Sequence, residues 1–458
     1  LGQDHKKMLR HPALDRIADA TRATAWEGKL WLVGGCVRDS LLGLPASQDF
    51  DLVLESSAAD LASALFHGGL SKTPPVIYAR FGTAMLVIED TKIEFVTARR
   101  ESYSQESRKP EVEPATLRED AQRRDFTVNA LLQNLHSGEI FDPLETGLVD
   151  LESKLLRTPL DPASTFFDDP LRMLRAVRFR HRLGFSFAPG LAEAIQASAS
   201  RLAVISAERI QEELVKMLGH PTAPEALREI QALGLAAQFA PEWDAMVGVE
   251  QGRFHHLEVW EHTLLVLKHA GHQDLILSLA AIFHDVGKPA TRMVDDAGNT
   301  RFFGHETLGA TMTAEILRRL RFSEDTTARV AHLVKNHMRL GSSPTFSPSA
   351  ARRVIRDMGE DLERLLSLVE ADTASLRPGV KTLDLDAIRN QIGRVAAQTP
   401  RDQLESPLTG LEIIEFLNIS PGPKVGEVKA WLTEQVLEGT LSPGDKEHAR
   451  HLLSRFSG

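Results

Sequence analysis

The sequence predicts an α+β protein in which strands are confined to the first third and the rest is helical. Three observations predict it. Residues 30–55 read as strand, glycine turn, helix and strand. Two apolar runs, Thr83–Ile88 and Lys92–Ala98, are split by Glu89-Asp90 as in a hairpin. Beyond Asp150 the apolar spacing is helical almost throughout. At 458 residues the chain has room for about three domains. Its 42% hydrophobic and 25% charged residues exclude a disordered or low-complexity protein. No internal repeat is visible, and the longest apolar run, Leu275–Phe283, is too short to span a bilayer.

Taken in order, the first 25 residues form a helix with polar flanks. Leu30–Val33 is a strand, Gly34-Gly35 breaks it, and Val37–Leu42 opens a helix. Asp49–Leu54 alternates as a strand should. The polar, proline-containing stretch Glu101–Pro114 reads as a mobile loop. Gly219, Pro221 and Pro241 mark helix ends. Residues 255–375 form a separate helical unit with a loop at Gly341-Ser342-Ser343-Pro344 and Ser347-Pro348. A smaller helical tail follows, with a turn at Ser420–Pro423. The expected organisation is therefore 1–150, 151–250, 255–375 and 376–458.

Charge and cysteine content narrow the function classes. The single cysteine, Cys36, excludes a disulfide framework and a cysteine-built zinc site; it reads as a buried filler and, with no secretory leader pattern, points to a reducing cytoplasm. A net charge of −10 argues against indiscriminate coating of nucleic acid, which needs a large positive field. Leu171–Ala192 has the opposite character, with five arginines and no acid, the makings of a local basic cleft.

Gly34, Gly35 and Arg38 lie between a strand and a helix, where glycines let backbone N–H groups and a helix N-terminus approach a polyphosphate. Asp49 and Asp51, spaced i, i+2 on the next strand, put two carboxylates on one face. They suit Mg²⁺ ions that activate a 3′ hydroxyl and neutralise departing pyrophosphate. Glu94, an acid at a position that otherwise reads as sheet core, is the candidate third carboxylate.

The string GGCVRDSLLG–DFDLVL resembles the signature of the class II nucleotidyltransferases, the family of bacterial tRNA CCA-adding enzymes and poly(A) polymerases. Further matches follow in family order. Arg123–Leu131 (RRDFTVNAL) is similar to the ribose-recognising motif, and Asp142–Leu151 to the flexible hinge. Asp168–Arg172 (DDPLR) resembles the motif whose aspartate and arginine pair with the incoming base, and Glu208–Leu214 the neck-stabilising motif. The resemblance covers about residues 25–220. It implies a nucleotidyltransferase head with a small mixed β-sheet, followed by an all-α neck, body, HD domain and tail.

The chemistry of these side chains agrees. Asp169 offers acceptors and Arg172 donors, a pair complementary to cytosine or adenine without a nucleic-acid template. Arg175, Arg178 and Arg182 continue on about one helix face and could hold the triphosphate or the RNA backbone. The alternative for Arg178, Arg180 and Arg182 is a solvated face with snorkelling stems. Asp125, preceded by Arg123 and Arg124, could accept from a ribose 2′-hydroxyl, with Asn129 one helical turn later on the same side.

A second constellation lies downstream. The helix Leu275–Phe283 ends in His284-Asp285-Val286-Gly287-Lys288-Pro289, with Gly287 expected as the left-handed residue past the helix end and Pro289 as its stop. With His262 before it and Asp372 far after, this order resembles the HD phosphohydrolase superfamily. The resemblance implies metal-dependent hydrolysis of 2′,3′-cyclic phosphates or 2′-nucleotides. Imidazole and carboxylate donors suit Mg²⁺ or a divalent transition metal. His305 and His337 are further candidates, whereas His255, His256, His269, His272 and His332 show no convergent partner.

The expected function is addition of C and/or A to the tRNA 3′ end from CTP and ATP, with Mg²⁺ in the head and no DNA or membrane partner. Full CCA, CC-only and A-only addition stay open. The full length of the Arg99–Arg123 segment disfavours CC-only enzymes, in which the resemblance implies a shortened loop. A poly(A) polymerase is disfavoured by the HD unit, a phosphohydrolase with a merely nucleotide-binding head by the paired carboxylates, and a non-catalytic RNA-binding protein by the net charge. The sequence carries no sign of oligomeric state.

Overall fold

The architecture of the first unit begins with a strand forced to stop. In the computed structural model, β1 (Trp31–Val33) ends at Gly34, whose φ of +87° favours glycine, and the helix Gly35–Leu41 starts at once. The structure describes residues 9–45, 49–104, 107–252, 255–341, 346–380 and 382–454, with the backbone alone over 101–104 and 107–112. The chain divides into two compact units, Leu1–Glu213 with Glu229–Gln238, and Leu214–Arg228 with Phe239–Gly458.

The first unit holds a seven-stranded mixed sheet. Its strands are β1, β2 (Phe50–Leu54), β3 (Val76–Tyr78), β4 (Thr83–Ile88) and β5 (Thr91–Thr97), followed, after a separate ribbon of β6 (Arg99–Ser104) and β7 (Ser107–Pro114), by β8 (Leu132–Asn134) and β9 (Ile140–Phe141). The order is β3-β4-β5-β2-β1-β8-β9, with β2 and β5 parallel and the other pairs antiparallel. Register sorts the two faces. Leu32, Leu52, Phe95 and Ala84 lie side by side and buried, and the helix Ala58–His67 packs on β4 and β5. The next row runs Val33, Asp51, Glu94, Met85 and Val76, so the acids share the opposite face.

The expected loop at Glu101–Pro114 is instead an antiparallel ribbon, β6 (Arg99–Ser104) with β7 (Ser107–Pro114). Arg100 sits opposite Glu113 and donates to it at 2.8 Å, a cross-strand ion pair that composition alone disguises as loop polarity. Its prolines are tolerated because the ribbon pairs outside the main sheet. Two further exceptions to all-helical structure after Asp150 are the short pairs Leu155–Leu156 with Ser186–Phe187 and Met293–Val294 with Thr300–Arg301.

In the second unit the helix Leu275–Phe283 forms with the expected bounds and packs against Val259–Ala270, which also contacts Leu362–Ala374. Trp243 stacks on Trp260 at 5.6 Å, beside Phe283. Four helices between Leu385 and Leu453 make the tail. Residues 342–344 of the expected Gly341–Pro344 loop lie outside the described residues. Ser347-Pro348 is no loop: Ser347 caps the helix Pro348–Met358, with proline at its start.

Gly287 is required for a different reason from the expected one. Its φ is −79°, not left-handed, and Pro289 lies within a short helix, Lys288–Thr291. A Cβ at Gly287 would lie 2.3 Å from the His305 carbonyl oxygen and 2.8 Å from the Gly309 nitrogen. Close approach of two backbones fixes the residue. Gly287→Ala is expected to cost this unit about 1–3 kcal/mol, the range for overpacking, and to displace His305; urea unfolding and metal titration of the variant check both.

Candidate functional sites

In the head, Asp51 and Glu94 are register partners on β2 and β5, and Asp49 stands just before β2 begins. Glu94 is exposed between buried Ile93 and Phe95, so it occupies the open face of the strand and not the core. Burial, then the Glu94 and Asp49 charges, push the Asp51 carboxyl up to about 6 against the opposing pull of Arg124. Three crowded acids with so costly a shared charge suit a divalent cation. A Cβ on Gly34 would lie 3.9 Å from Asp51 Oδ2, so the glycine turn and the carboxylate border the same space.

The remaining head residues form an alternating-charge chain. Arg182 donates to Asp39 (3.0 Å) and Arg38 to the other oxygen of Asp39 (2.7 Å). Arg38 also donates to Asn129 (2.5 Å), and Asn129 to Asp125 (3.0 Å). Arg175 grips Asp125 Oδ2 through two nitrogens (2.8 and 2.6 Å) and approaches Glu213, which accepts from Arg178 at 2.6 Å. Phe179 sits among the guanidinium groups of Arg38, Arg175 and Arg178.

Several expectations change here. Asp125 and Asn129 do meet, but not along one helix. The helix Leu117–Gln122 ends before Asp125, and the 3₁₀ turn Thr127–Asn129 brings the amide back. Burial would raise the Asp125 carboxyl, but Arg175 and Asn129 outweigh it and hold it at about 2. Arg38 and Arg178, expected at the nucleotide, are 1% and 8% exposed and engaged with Asp39 and Glu213. Arg180 pairs with Glu229. The arginine-rich helix Leu171–Leu183 is therefore no free basic cleft, because acids distant in sequence neutralise four of its five guanidinium groups. Arg123 and Arg124 clamp Asp120.

Asp169 and Arg172 are neighbours without bonding each other. Arg172 donates to the carbonyls of Arg123 (2.6 Å) and Thr165 (3.5 Å). Asp169 is held by Arg209 through two nitrogens, at 3.2 and 2.8 Å. Arg209 and Glu213, placed by the sequence in the neck-stabilising motif, and Asp39, placed beside the glycine turn, gain specific partners here that sequence reasoning did not assign: Asp169, Arg178 and Arg182.

In the second unit, Asp285 is the hub. Its Oδ2 lies 3.1 Å from His284 Nε2, 3.8 Å from His262 Nε2 and 2.7 Å from Lys288 Nζ. Its Oδ1 lies 3.5 and 3.9 Å from His305 and His337 Nε2. His262 in turn bonds Asp372 at 3.0 Å. Two groups of donor atoms result, His262, His284 and Asp372, and Asp285, His305 and His337. His305 and His337 thus join the predicted set. His255, set aside in sequence, lies edge-on to His262 with centroids 4.8 Å apart, and burial and Lys288 depress it to about 4. The signal for Lys288 was its place three residues after Asp285.

Tautomers make these groups fit a metal. Nδ1 of His284, His305 and His337 contacts the carbonyl three residues earlier, at 2.8, 2.7 and 2.6 Å. A carbonyl only accepts, so each Nδ1 carries the proton and each neutral ring keeps its Nε2 lone pair for the centre. His305 and His337 then point Nε2 at Nε2 across 3.3 Å. Burial and the His284 charge depress His337 to about 4, which opposes a proton between them; a cation relieves the contact. Buried His284 Nε2 makes no well-aligned hydrogen bond, although Asp285 Oδ2 lies 3.1 Å away. Burial alone would lower His284, but Asp285 outweighs it and raises it, while His284 and Lys288 hold Asp285 well below the usual carboxylate range.

Comparison with known proteins decides the family. Residues 30–157 match the poly(A) polymerase head domain, 184–247 the probable RNA and SrmB-binding site of polymerase A, and 253–375 the HD domain. The CC-adding tRNA nucleotidyltransferase of Thermus thermophilus is 34% identical over 93% of both chains. The A-adding tRNA nucleotidyltransferase of Deinococcus radiodurans is also 34% identical, over 93% of this chain and 95% of its own. The chain belongs to the tRNA nucleotidyltransferase and poly(A) polymerase family. It is a nucleotidyltransferase of that family with an HD domain, a class that works with divalent metals. The fold is that of the Bacillus stearothermophilus CCA-adding enzyme solved with CTP, with a TM-score of 0.70 and 24% identity over 97% of this chain and 98% of that one. The α+β expectation holds. No described helix is long and apolar enough to cross a membrane.

The raised Asp51 carboxyl generates a test. A proton and a divalent cation held there would compete for it, so metal affinity should be flat above about pH 6 and fall by about tenfold per unit below it. Mg²⁺ titrations of activity between about pH 5 and about pH 8 read this directly, and an affinity constant across that range would refute the competition.

Proposed function

We propose that this enzyme extends the tRNA 3′ end with C and/or A, using CTP and ATP. The observation that carries the reading is the register of Asp51 beside Glu94, with Asp49 adjacent, against the glycine turn at Gly34. Asp49, Asp51 and Glu94 would hold Mg²⁺, which lowers the pKa of the attacking hydroxyl and neutralises the pyrophosphate. The primer's 3′ oxygen forms the new bond to the α-phosphorus as the bond to the pyrophosphate breaks. Gly34 and Gly35 let the backbone approach the phosphates. Asp125 and Asn129, fixed by Arg175 and Arg38, border the ribose, and Arg123 stands beside them. Asp169 accepts from the amino group of cytosine or adenine and Arg172 donates to the ring acceptor, which uracil and guanine do not satisfy. The full-length β6–β7 ribbon favours A addition over CC-only addition.

The HD unit would hydrolyse a phosphate ester such as a 2′,3′-cyclic nucleotide. His262, His284, Asp285 and Asp372, with His305 and His337, would hold a divalent transition metal or Mg²⁺, which activates water for attack. Its support is the set of Nε2 lone pairs converging on Asp285.

The deciding experiment offers three tRNA transcripts, ending before, within and after CC, with labelled CTP or ATP. Incorporation on the first two marks CC addition, and on the last marks A addition; none on any transcript refutes the reading. Asp49→Ala or Asp51→Ala should abolish addition and spare phosphohydrolysis, whereas His284→Ala or Asp285→Ala should do the reverse with Mn²⁺, Ni²⁺ or Mg²⁺. Loss of both activities in a folded Asp49→Ala variant would defeat the two-site assignment.

A further inference from the structure

The open edge of the head sheet carries an apolar surface that the reading above leaves unused. All three residues of β3 are exposed although all are apolar in body, with Val76 and Ile77 at 44% and Tyr78 at 50%; Phe81, in the turn that follows, is 39% exposed. Monomeric proteins seldom leave such residues contiguous without a binding role. Register places this surface. Val76 pairs with Met85, Met85 with Glu94, and Glu94 with Asp51, while Tyr78 pairs with Thr83 and Thr83 with Val96. Directly opposite residues point to one face, so Val76 and Tyr78 stand on the same face as the carboxylates. Ile77 points to the other face. Three interstrand spacings separate β3 from β2, about 14 Å.

We infer that Val76 and Tyr78, with Phe81 at their end, form a stacking platform for the nucleobases that precede the 3′ hydroxyl of the RNA primer. The inference rests on the reading of Asp49, Asp51 and Glu94 as the nucleotidyl-transfer site. A polymeric substrate whose hydroxyl lies at those acids must lay its preceding nucleotides across a neighbouring surface, and about 14 Å is the span of about four stacked nucleotides. Stacking answers a second constraint. With a net charge of −10 the protein has no general field for RNA, and four of the five arginines of the helix Leu171–Leu183 are already paired with acids, so an apolar contact to bases supplies attraction that charge does not. Every base has a π-face, so such a platform holds changing 3′ ends as the primer grows.

The test compares wild type, Tyr78→Ala and Tyr78→Phe on a tRNA transcript that the wild type extends. Tyr78→Ala is expected to raise the KM for tRNA by about tenfold, to leave the KM for the nucleotide unchanged, and Tyr78→Phe to restore wild-type behaviour. Tyr78 is at an exposed edge, and an unchanged thermal midpoint confirms the fold. An unaltered KM for tRNA in Tyr78→Ala, or an equal rise for the nucleotide, overturns the platform. So does a change of oligomeric state in Ile77→Lys with no change in tRNA use by Tyr78→Ala, because the edge would then serve a second copy of the chain. A wild type that extends no transcript fails the reading of the carboxylates, an outcome separate from all of these.

Discussion

Charge neutralisation of one helix governs the first unit. Leu171–Leu183 carries five arginines and no acid, and it packs with Met173, Leu174, Ala176 and Val177 fully buried. A guanidinium drawn into such a setting is tolerated only with a carboxylate and satisfied donors, and breaking a buried pair costs about 3–5 kcal/mol. The partners come from afar: Asp39 from the first helix after the glycine turn, Asp125 from the link before the 3₁₀ turn, and Glu213 from the helix Ala207–Leu218. Each pair ties a different part of the unit to the same helix. Phe179 fills the middle, where guanidinium faces stack on a ring instead of meeting one another.

That arrangement fixes the side chains proposed to meet a nucleotide before any ligand arrives. Asn129 is oriented at both ends, accepting from Arg38 and donating to Asp125, so its amide cannot flip without breaking two bonds. Asp125 has both oxygens engaged before any ribose arrives. Preorganisation of this kind is obtained by spending buried charge. The second unit reaches the same end by geometry: carbonyls set the tautomers of three histidines, and the close approach of Gly287 to Gly309 brings His305 near Asp285.

What could be read in the sequence was local. The strand, the glycine turn and the carboxylate pair lie within about 20 residues and each obeys a periodicity or a backbone preference. The helix Leu275–Phe283 and its His284-Asp285 terminus are equally local. The β6–β7 ribbon was missed because cross-strand ion pairs such as Arg100–Glu113 look like loop polarity until the strands are paired. The role of Arg178 was missed because its partner lies 35 residues away, and that of Arg38 because one of its two partners, Asn129, lies 91 residues away, beyond any spacing rule. His305 opens one helix and His337 follows the end of another, and neither helix had a fixed orientation in the sequence. Only the fold brings their Nε2 atoms to Asp285.

Base recognition shows how the two kinds of information combine. The chemistry of Asp169 and Arg172 follows from residue type, but the structure shows that neither is idle: Arg172 leans on two carbonyls and Asp169 on Arg209. A base read by Asp169, as proposed, would exchange for a guanidinium and not for bulk water. The Asp169–Arg209 pair is partly open to solvent, with side chains 21% and 48% exposed, so exchange at this position is cheap compared with disturbing the buried network beside it. A donor-bearing base replaces one satisfied contact with another, whereas a base that presents a carbonyl leaves an acceptor facing an acceptor. The penalty for that mismatch exceeds what one lost surface pair can offset. On the proposed reading, selectivity would reside in a partner exchange at the rim of a scaffold that the arginine network holds still.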